Sequence, residues 1–228
     1  MFELRKSAIF ATSAALALGL GACGGDEETA PTAAPAAEQQ AQSAEATPEP
    51  VAQIDQLTGR TTAVKLDAGF LEALTSLKVT PGPVGDAKIT KQGSAVFPIT
   101  GGNVTYYEPG SVSPFVQGRI DHDNSGLSLE AGGKRVELTD FVIDPGKSVL
   151  TGKVSVDGEV AAESAPLFFL DGRTLKPLQA KDNGTAVLQG TTVKLKAEAA
   201  DLLNQTFGIE DLQEGLVIGV ATITVNTK

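Results

Sequence analysis

Ligating side chains are almost missing from this chain. Its 228 residues hold one histidine, one cysteine, one methionine and no tryptophan. A single cysteine, Cys23, can form no internal disulfide and cannot build a thiolate metal site. There is no C-x-x-C, no H-E-x-x-H and no P-loop. No G-x-S-x-G elbow stands on a strand–helix turn. A Ser-His-Asp arrangement would need His122 as its base, since no other histidine exists. Asp140, Asp144, Asp157 and Asp171 adjoin turn residues, where aspartate caps backbone amides. The chain therefore reads as non-catalytic.

Long apolar runs are also scarce, with one exception at the start. Arg5 and Lys6 precede the apolar stretch Ala8 to Leu20, which is too short for a permanent membrane span. It fits a secretory signal over residues 1–22. The stretch ends in Leu20-Gly21-Ala22-Cys23, which resembles the lipobox of bacterial lipoproteins. That resemblance implies cleavage before Cys23 and its acylation, with palmitate as a typical chain. It places the mature protein on the extracytoplasmic face of the cell membrane.

Residues 23–59 lack any Lys or Arg and carry seven acids among Ala, Pro, Gln and Thr. Such a segment buries too little apolar surface to offset its ordering entropy, and its prolines and like charges extend it. It is expected to be a disordered acidic tether. The chain as a whole has 18 basic and 28 acidic residues. The signal accounts for two basic and one acidic residue and the tether for seven acids. That leaves 16 and 20 from Arg60 onward. The acidity belongs to the tether, and the remainder carries no nucleic-acid footprint.

From Arg60 to Lys228 the texture is β. Short runs that alternate apolar and polar residues, such as Leu127-Ser128-Leu129 and Val136-Glu137-Leu138, are separated by turn signals at Gly132-Gly133, Asp157-Gly158, Asp171-Gly172 and Asn183-Gly184. Residues 165–170, APLFFL, are apolar on both faces and predict a central strand. Two short helices interrupt. In the first, Asp67 is the N-cap and Phe70, Leu71, Leu74 and Leu77 form the apolar stripe, with Pro81 beyond. In the second, Ala199, Leu202, Leu203 and Phe207 form the stripe and Gly208 the cap. Residues 62–74 align without gaps on 191–203, and 84–90 match 218–224 in Gly, Ala, Ile and Thr. The expected fold is all-β with two short helices, a β-sandwich or flattened barrel built around this strand-helix-strand repeat. The strands before the two helices should occupy related positions, and Gly85–Thr90 should superpose on Gly219–Thr224.

Residues 119–129, RIDHDNSGLSL, contain the only histidine. Asp121, Asp123, Ser125 and Gly126 match the opening of a calcium loop, but position eight is Ser128 and position twelve is Gly132, where an aliphatic and a bidentate glutamate belong. The better expectation is a hairpin. Phe115–His122 is one strand, Asp123 to Gly126 the turn, and Leu127–Ala131 the return. His122 would then be a turn residue at the rim.

The stretch GRIDHDNSGLSL resembles the core of HtaA-type domains, β-rich secreted or membrane-bound modules implicated in haem binding and iron uptake. The likeness extends over VELTDFVIDPGKSVLTGKV, 136–154, and VKLKAEAADLLNQTFG, 193–208. It implies an HtaA-like β-domain over 60–228 and haem as a candidate cofactor. In such domains a tryptophan and the haem-ligating tyrosine flank the first helix. Here that helix, AGFLEALTSL, has neither, and Phe207 stands where a further tyrosine would be sought. Haem iron takes His, Tyr, Cys or Met. His122, Tyr106 and Tyr107 are therefore the remaining candidates. Paired as a hairpin, their strands would keep Tyr106 and His122 too far apart for both to hold one iron. Two functions follow from these residues. One is a lipid-anchored envelope module that binds haem or another apolar ligand. The other is a structural or adhesive module that engages envelope components without a small ligand. A lipid carrier is the third and weaker reading. A binder needs a concave apolar site with a few polar groups.

Overall fold

The computed structural model describes residues 48–227. The elements run in chain order β1 (Ala52–Ile54), β2 (Arg60–Leu66), α1 (Ala68–Ser76), β3 (Thr80–Gly85), β4 (Lys88–Ile89), β5 (Ser94–Pro98) and β6 (Gly101–Tyr106). The long central strands follow: β7 (Val116–Ala131), β8 (Lys134–Asp144), β9 (Val149–Val156) and β10 (Glu159–Asp171). The chain closes with β11 (Gln179–Lys181), β12 (Thr185–Leu195), α2 (Ala197–Phe207) and β13 (Val217–Asn226). As expected, the fold is all-β with two short helices. It is a single antiparallel sheet curled into a half-barrel.

The curl follows from connectivity. The sheet order is β1-β6-β7-β8-β9-β10-β12-β13-β2-β5-β4, with β3 added to β7 and β11 to β12. β5 and β6 stand near opposite ends of that order, yet only Ile99 and Thr100 join them. The sheet must bend round until its ends meet. At the corner the Thr100 amide donates to the Asp121 carbonyl at 2.8 Å, stitching the β5 end onto β7. Gly102 has φ 106° and lies against the Arg119 carbonyl, a backbone path that a side chain would obstruct.

β7 contains the correction to the expected hairpin. Residues 123–126 are not a turn, and β7 runs straight through them as a bulged strand. His122 pairs with Phe141 and Gly126 with Thr139, so three residues of β7 face only Asp140 of β8. Asn124 and Asp140 both adopt positive φ, 52° and 53°. The Asn124 amide donates to the Asp140 carboxylate at 2.9 Å. The bulge bends β7, so its first half pairs with β6 and its second half with β3.

The folded part also begins earlier than Arg60. β1 pairs with β6, from Ala52 opposite Tyr106 to Ile54 opposite Val104, and Leu57 is a core residue.

The repeat holds in its first half only. β2 and β12 flank β13 on opposite sides, and each passes through one residue into its helix. Val64 and Leu66 are buried as Val193 and Leu195 are, and Leu74 as Leu203 is. Asp67 caps α1 by accepting from the Gly69 amide at 2.9 Å, and Gly208 ends α2 at φ 68°. Leu71, expected in the α1 stripe, is exposed. The closing strands diverge. β13 returns beside β12, whereas β3 crosses to β7. Gly85–Thr90 comprises the end of β3, a turn and the two-residue β4, so it does not superpose on Gly219–Thr224. Pro81 and Pro83 remove two ladder donors from β3 and suit it to an edge.

Inside the curl, Phe97, Phe141 and Phe168 pack edge to face, at centroid distances of 5.2 and 6.5 Å. α2 covers β10 and the adjoining part of β8. Phe169, within the expected central strand, points outward and is exposed.

Candidate ligand-binding site

His122 lies in the core and not at a rim. It is 2% exposed. Its Nδ1 lies 3.1 Å from the Phe141 carbonyl and its Nε2 lies 2.8 Å from Thr62 Oγ1. A carbonyl only accepts, so Nδ1 carries the proton and the Thr62 hydroxyl donates to Nε2. The ring ties β7 and β8 to β2 across the half-barrel, with Phe97 edge-on at 6.4 Å. Burial lowers its pKa to about 4, against smaller raising effects from the Phe141 carbonyl, Asp121 and Asp123. The imidazole is neutral at pH 7, and both nitrogens are engaged. The Nε2 lone pair that an iron would need accepts from Thr62.

The carboxylates beside it are likewise engaged. Asp121 pairs with Arg119 at 2.5 Å, and Asp123 accepts from Thr100 Oγ1 at 2.8 Å. Among the described residues no three His, Cys, Asp or Glu side chains cluster as a metal site. A second charged group surrounds Asp171. Arg173 and then Lys194 hold its carboxyl well below the usual carboxylate range. These contacts span 2.6 Å to Arg173 and 2.8 Å to Lys194.

A concave site begins two residues before His122, at Ile120. A cavity of about 170 Å³, partly open to solvent, lies between the β1–β6–β7 edge and the β10–β12–β13 wall. Ile54, Val104, Ile120 and Ile143 form one side and Ala186, Ile223 and Val225 the other. Pro114 and Phe115 from the β6–β7 loop, Pro145 from the β8–β9 turn, and Leu175 and Leu178 after β10 surround the opening. Alternation along the strands supplies this wall. Val104 and Tyr106 share one face of β6, and Val116 and Ile120 share one face of β7. The second void, around Phe97, His122 and Phe141, measures only about 30 Å³.

Tyr106 borders the cavity at 6% exposure, edge-on to Phe115 at 5.9 Å. Tyr107 follows it into the loop, where its amide donates to the Phe115 carbonyl, and it does not line the cavity. Tyr106 lies opposite Val116, six positions along β7 from His122, roughly 20 Å at strand rise. The structure thus separates the sequence candidates as the hairpin geometry predicts. Cys23 lies outside the described residues. Sequence reasoning missed Ser148 and Thr191, the cavity's other hydroxyl side chains, because they join its wall only through long-range strand pairing.

A curled antiparallel β half-barrel with an apolar mouth defines the class of domain. No family model matches the chain, and no curated protein matches it. Among solved structures it is similar to the C-terminal domain of HtaA from Corynebacterium glutamicum. The TM-score is 0.52 and identity 13%, covering 75% of this chain and 98% of that one. The heme binding protein HtaB of the same organism gives TM-score 0.43 at 11% identity, over 77% and 96% of the two chains. At such identity the first likeness shows an HtaA-like fold.

Proposed function

We propose that this chain is a non-catalytic, lipid-anchored envelope protein whose β-domain binds an apolar ligand in the mouth of the half-barrel. The observation that carries the binding reading is the cavity of about 170 Å³ with Tyr106 in its wall. An apolar hollow with few polar groups is what small-ligand sites share. Anchoring rests on the sequence alone, on the signal over 1–22 and Cys23, with the acidic segment as a spacer. Replacing Cys23 by Ala should move the protein out of the membrane fraction. An unchanged membrane fraction would refute the anchor.

Haem belongs to this class of ligand through the HtaA resemblance, and this chain's residues fit it in part. Of the candidate axial ligands, only Tyr106 borders the cavity. No histidine or cation lines the wall to stabilise a phenolate. The hollow is below the roughly 300 Å³ at which drug-sized sites begin, so a porphyrin would enter by one edge. Two titrations of the mature chain test the reading, one with the neutral dye N-phenyl-1-naphthylamine and one with haemin followed at the Soret band. Saturable dye binding is expected. Any haemin binding should be lost in Tyr106→Phe and survive Tyr107→Phe. Failure of both titrations would leave the structural or adhesive module in possession.

A further inference from the structure

We infer that the ligand of this cavity is an uncharged ring or chain lipid bearing one carbonyl or hydroxyl group, held by a hydrogen bond from Tyr106. This rests on the preceding reading that the cavity binds a ligand and narrows its chemistry.

The wall carries no charge. None of the cavity's lining residues is Asp, Glu, Lys, Arg or His. Burying an ionised head group against such a wall would cost far more than burying a neutral one. Two charged groups near the opening are already paired. Asp144 holds Lys147 at 3.0 Å on the β8–β9 turn, and Asp171 holds Arg173 and Lys194. Lys176, exposed between Leu175 and Leu178, has no ion pair among the described residues. It is a nearby cation that could favour an acid, so the test must include it.

The polar groups of the wall are hydroxyls. Tyr106, Ser148 and Thr191 all line the cavity, and no side-chain hydrogen bond occupies any of them among the described residues. No fully buried side-chain oxygen among the described residues lacks a partner, so these three oxygens remain accessible. Tyr106, only 6% exposed, is among the residues that line the cavity. Hydroxyls donate and accept. They suit a ketone, quinone or alcohol oxygen. The volume sets the rest. An apolar cavity of roughly 150 Å³ takes a benzene-sized ring. About 170 Å³ holds one ring or a stretch of chain, and the remainder of the ligand leaves through the open side.

The experiment displaces N-phenyl-1-naphthylamine from the mature chain at pH 8 with 2-dodecanone, 1-dodecanol and dodecanoate, three ligands of matched chain length. The two neutral ligands should compete at concentrations at least about tenfold lower than dodecanoate. Tyr106→Phe should weaken 2-dodecanone by roughly threefold to tenfold, the net value of one hydrogen bond, when each protein's competition is referred to its own directly measured dye affinity. Thr191→Val, which keeps the wall's shape, should have the smaller effect. Dodecanoate binding as tightly as the alcohol would overturn the inference, and its loss in Lys176→Ala would identify that lysine as the head-group site. An unaltered ketone affinity in Tyr106→Phe would remove Tyr106 from the role. No saturable dye binding would instead sink the underlying claim that the cavity binds at all.

Discussion

The two halves of β7 border the same interior and leave it in different states. Before the bulge, Val116 and Ile120 face an open hollow. Beyond it, Leu129 packs into a core with Val136, Leu138 and Phe141. At the bulge, the buried imidazole of His122 has both nitrogens bonded. Apolar side chains line both regions, so hydrophobicity does not distinguish them. Filling does. A void costs roughly 24 cal/mol per Å³, so about 170 Å³ left empty forgoes about 4 kcal/mol at most, less because it is partly open. A fold that keeps such a hollow beside a core whose second void is only about 30 Å³ forgoes packing on one side of the bulge.

The sharpest way to break that contrast is to empty the packed end. Phe141 is 2% exposed and touches both Phe97 and Phe168. Phe141→Ala should cost about 3–5 kcal/mol in urea unfolding. Leu175→Ala at the mouth should cost a small fraction of that, because Leu175 already borders empty space. Equal costs would mean that the two regions are not packed differently.

Acid attacks the same end through His122. Its folded pKa of about 4 lies below the unfolded 6.5, so the unfolded chain takes up the proton first. Stability should be fully present above pH 6.5, fall as pH drops from 6.5 towards 4, and lose no more from this group below that. The gap between the folded and unfolded values corresponds to about 3 kcal/mol. His122→Gln can keep a donor for Phe141 and an acceptor for Thr62 without titrating. The difference between the two pH profiles isolates the histidine, and parallel profiles would exclude it as the acid-sensitive group.

The other half of that bridge gives a smaller effect. Thr62→Val preserves shape but leaves Nε2 buried without a donor. A loss of about 2 kcal/mol is expected at pH 7. If Thr62→Val is neutral, the bond from β2 to His122 contributes nothing to closing the half-barrel.

What was legible in the sequence divides along similar lines. Each strand-to-helix junction was readable, because the Asp67 cap, the Gly208 terminus and the Val-x-Leu alternation act within a few residues. The β6–β7 pairing was readable for the same reason, and with it the separation of Tyr106 from His122. The bulge was not. Asn-Ser-Gly serves a hairpin turn and a bulge alike, and only the strands that flank β7 decide between them. Local pattern alone puts His122 at a rim, because its position depends on that turn. β1 was hidden by the acidic, proline-rich composition before it. The cavity could not be read at all, since a hollow is what distant strands fail to fill and no local pattern marks it.

The smallest expected effect comes from closing the mouth. Ala186 on β12 pairs with Val225 on β13, and both line the cavity. Ala186→Val adds two methyl groups to that wall and suits a strand, where branched side chains are favoured. If the space is held open for a ligand, the variant should be more stable by about 1 kcal/mol in urea unfolding, as cavity-filling changes commonly are. It should at the same time lose affinity for N-phenyl-1-naphthylamine. The two changes together are the signature of a site, since gained packing and lost binding would come from the same volume. A variant destabilised by overpacking would show that this part of the wall has no room to give. A stabilised variant with unchanged dye affinity would place the binding surface elsewhere and reduce the hollow to a packing defect.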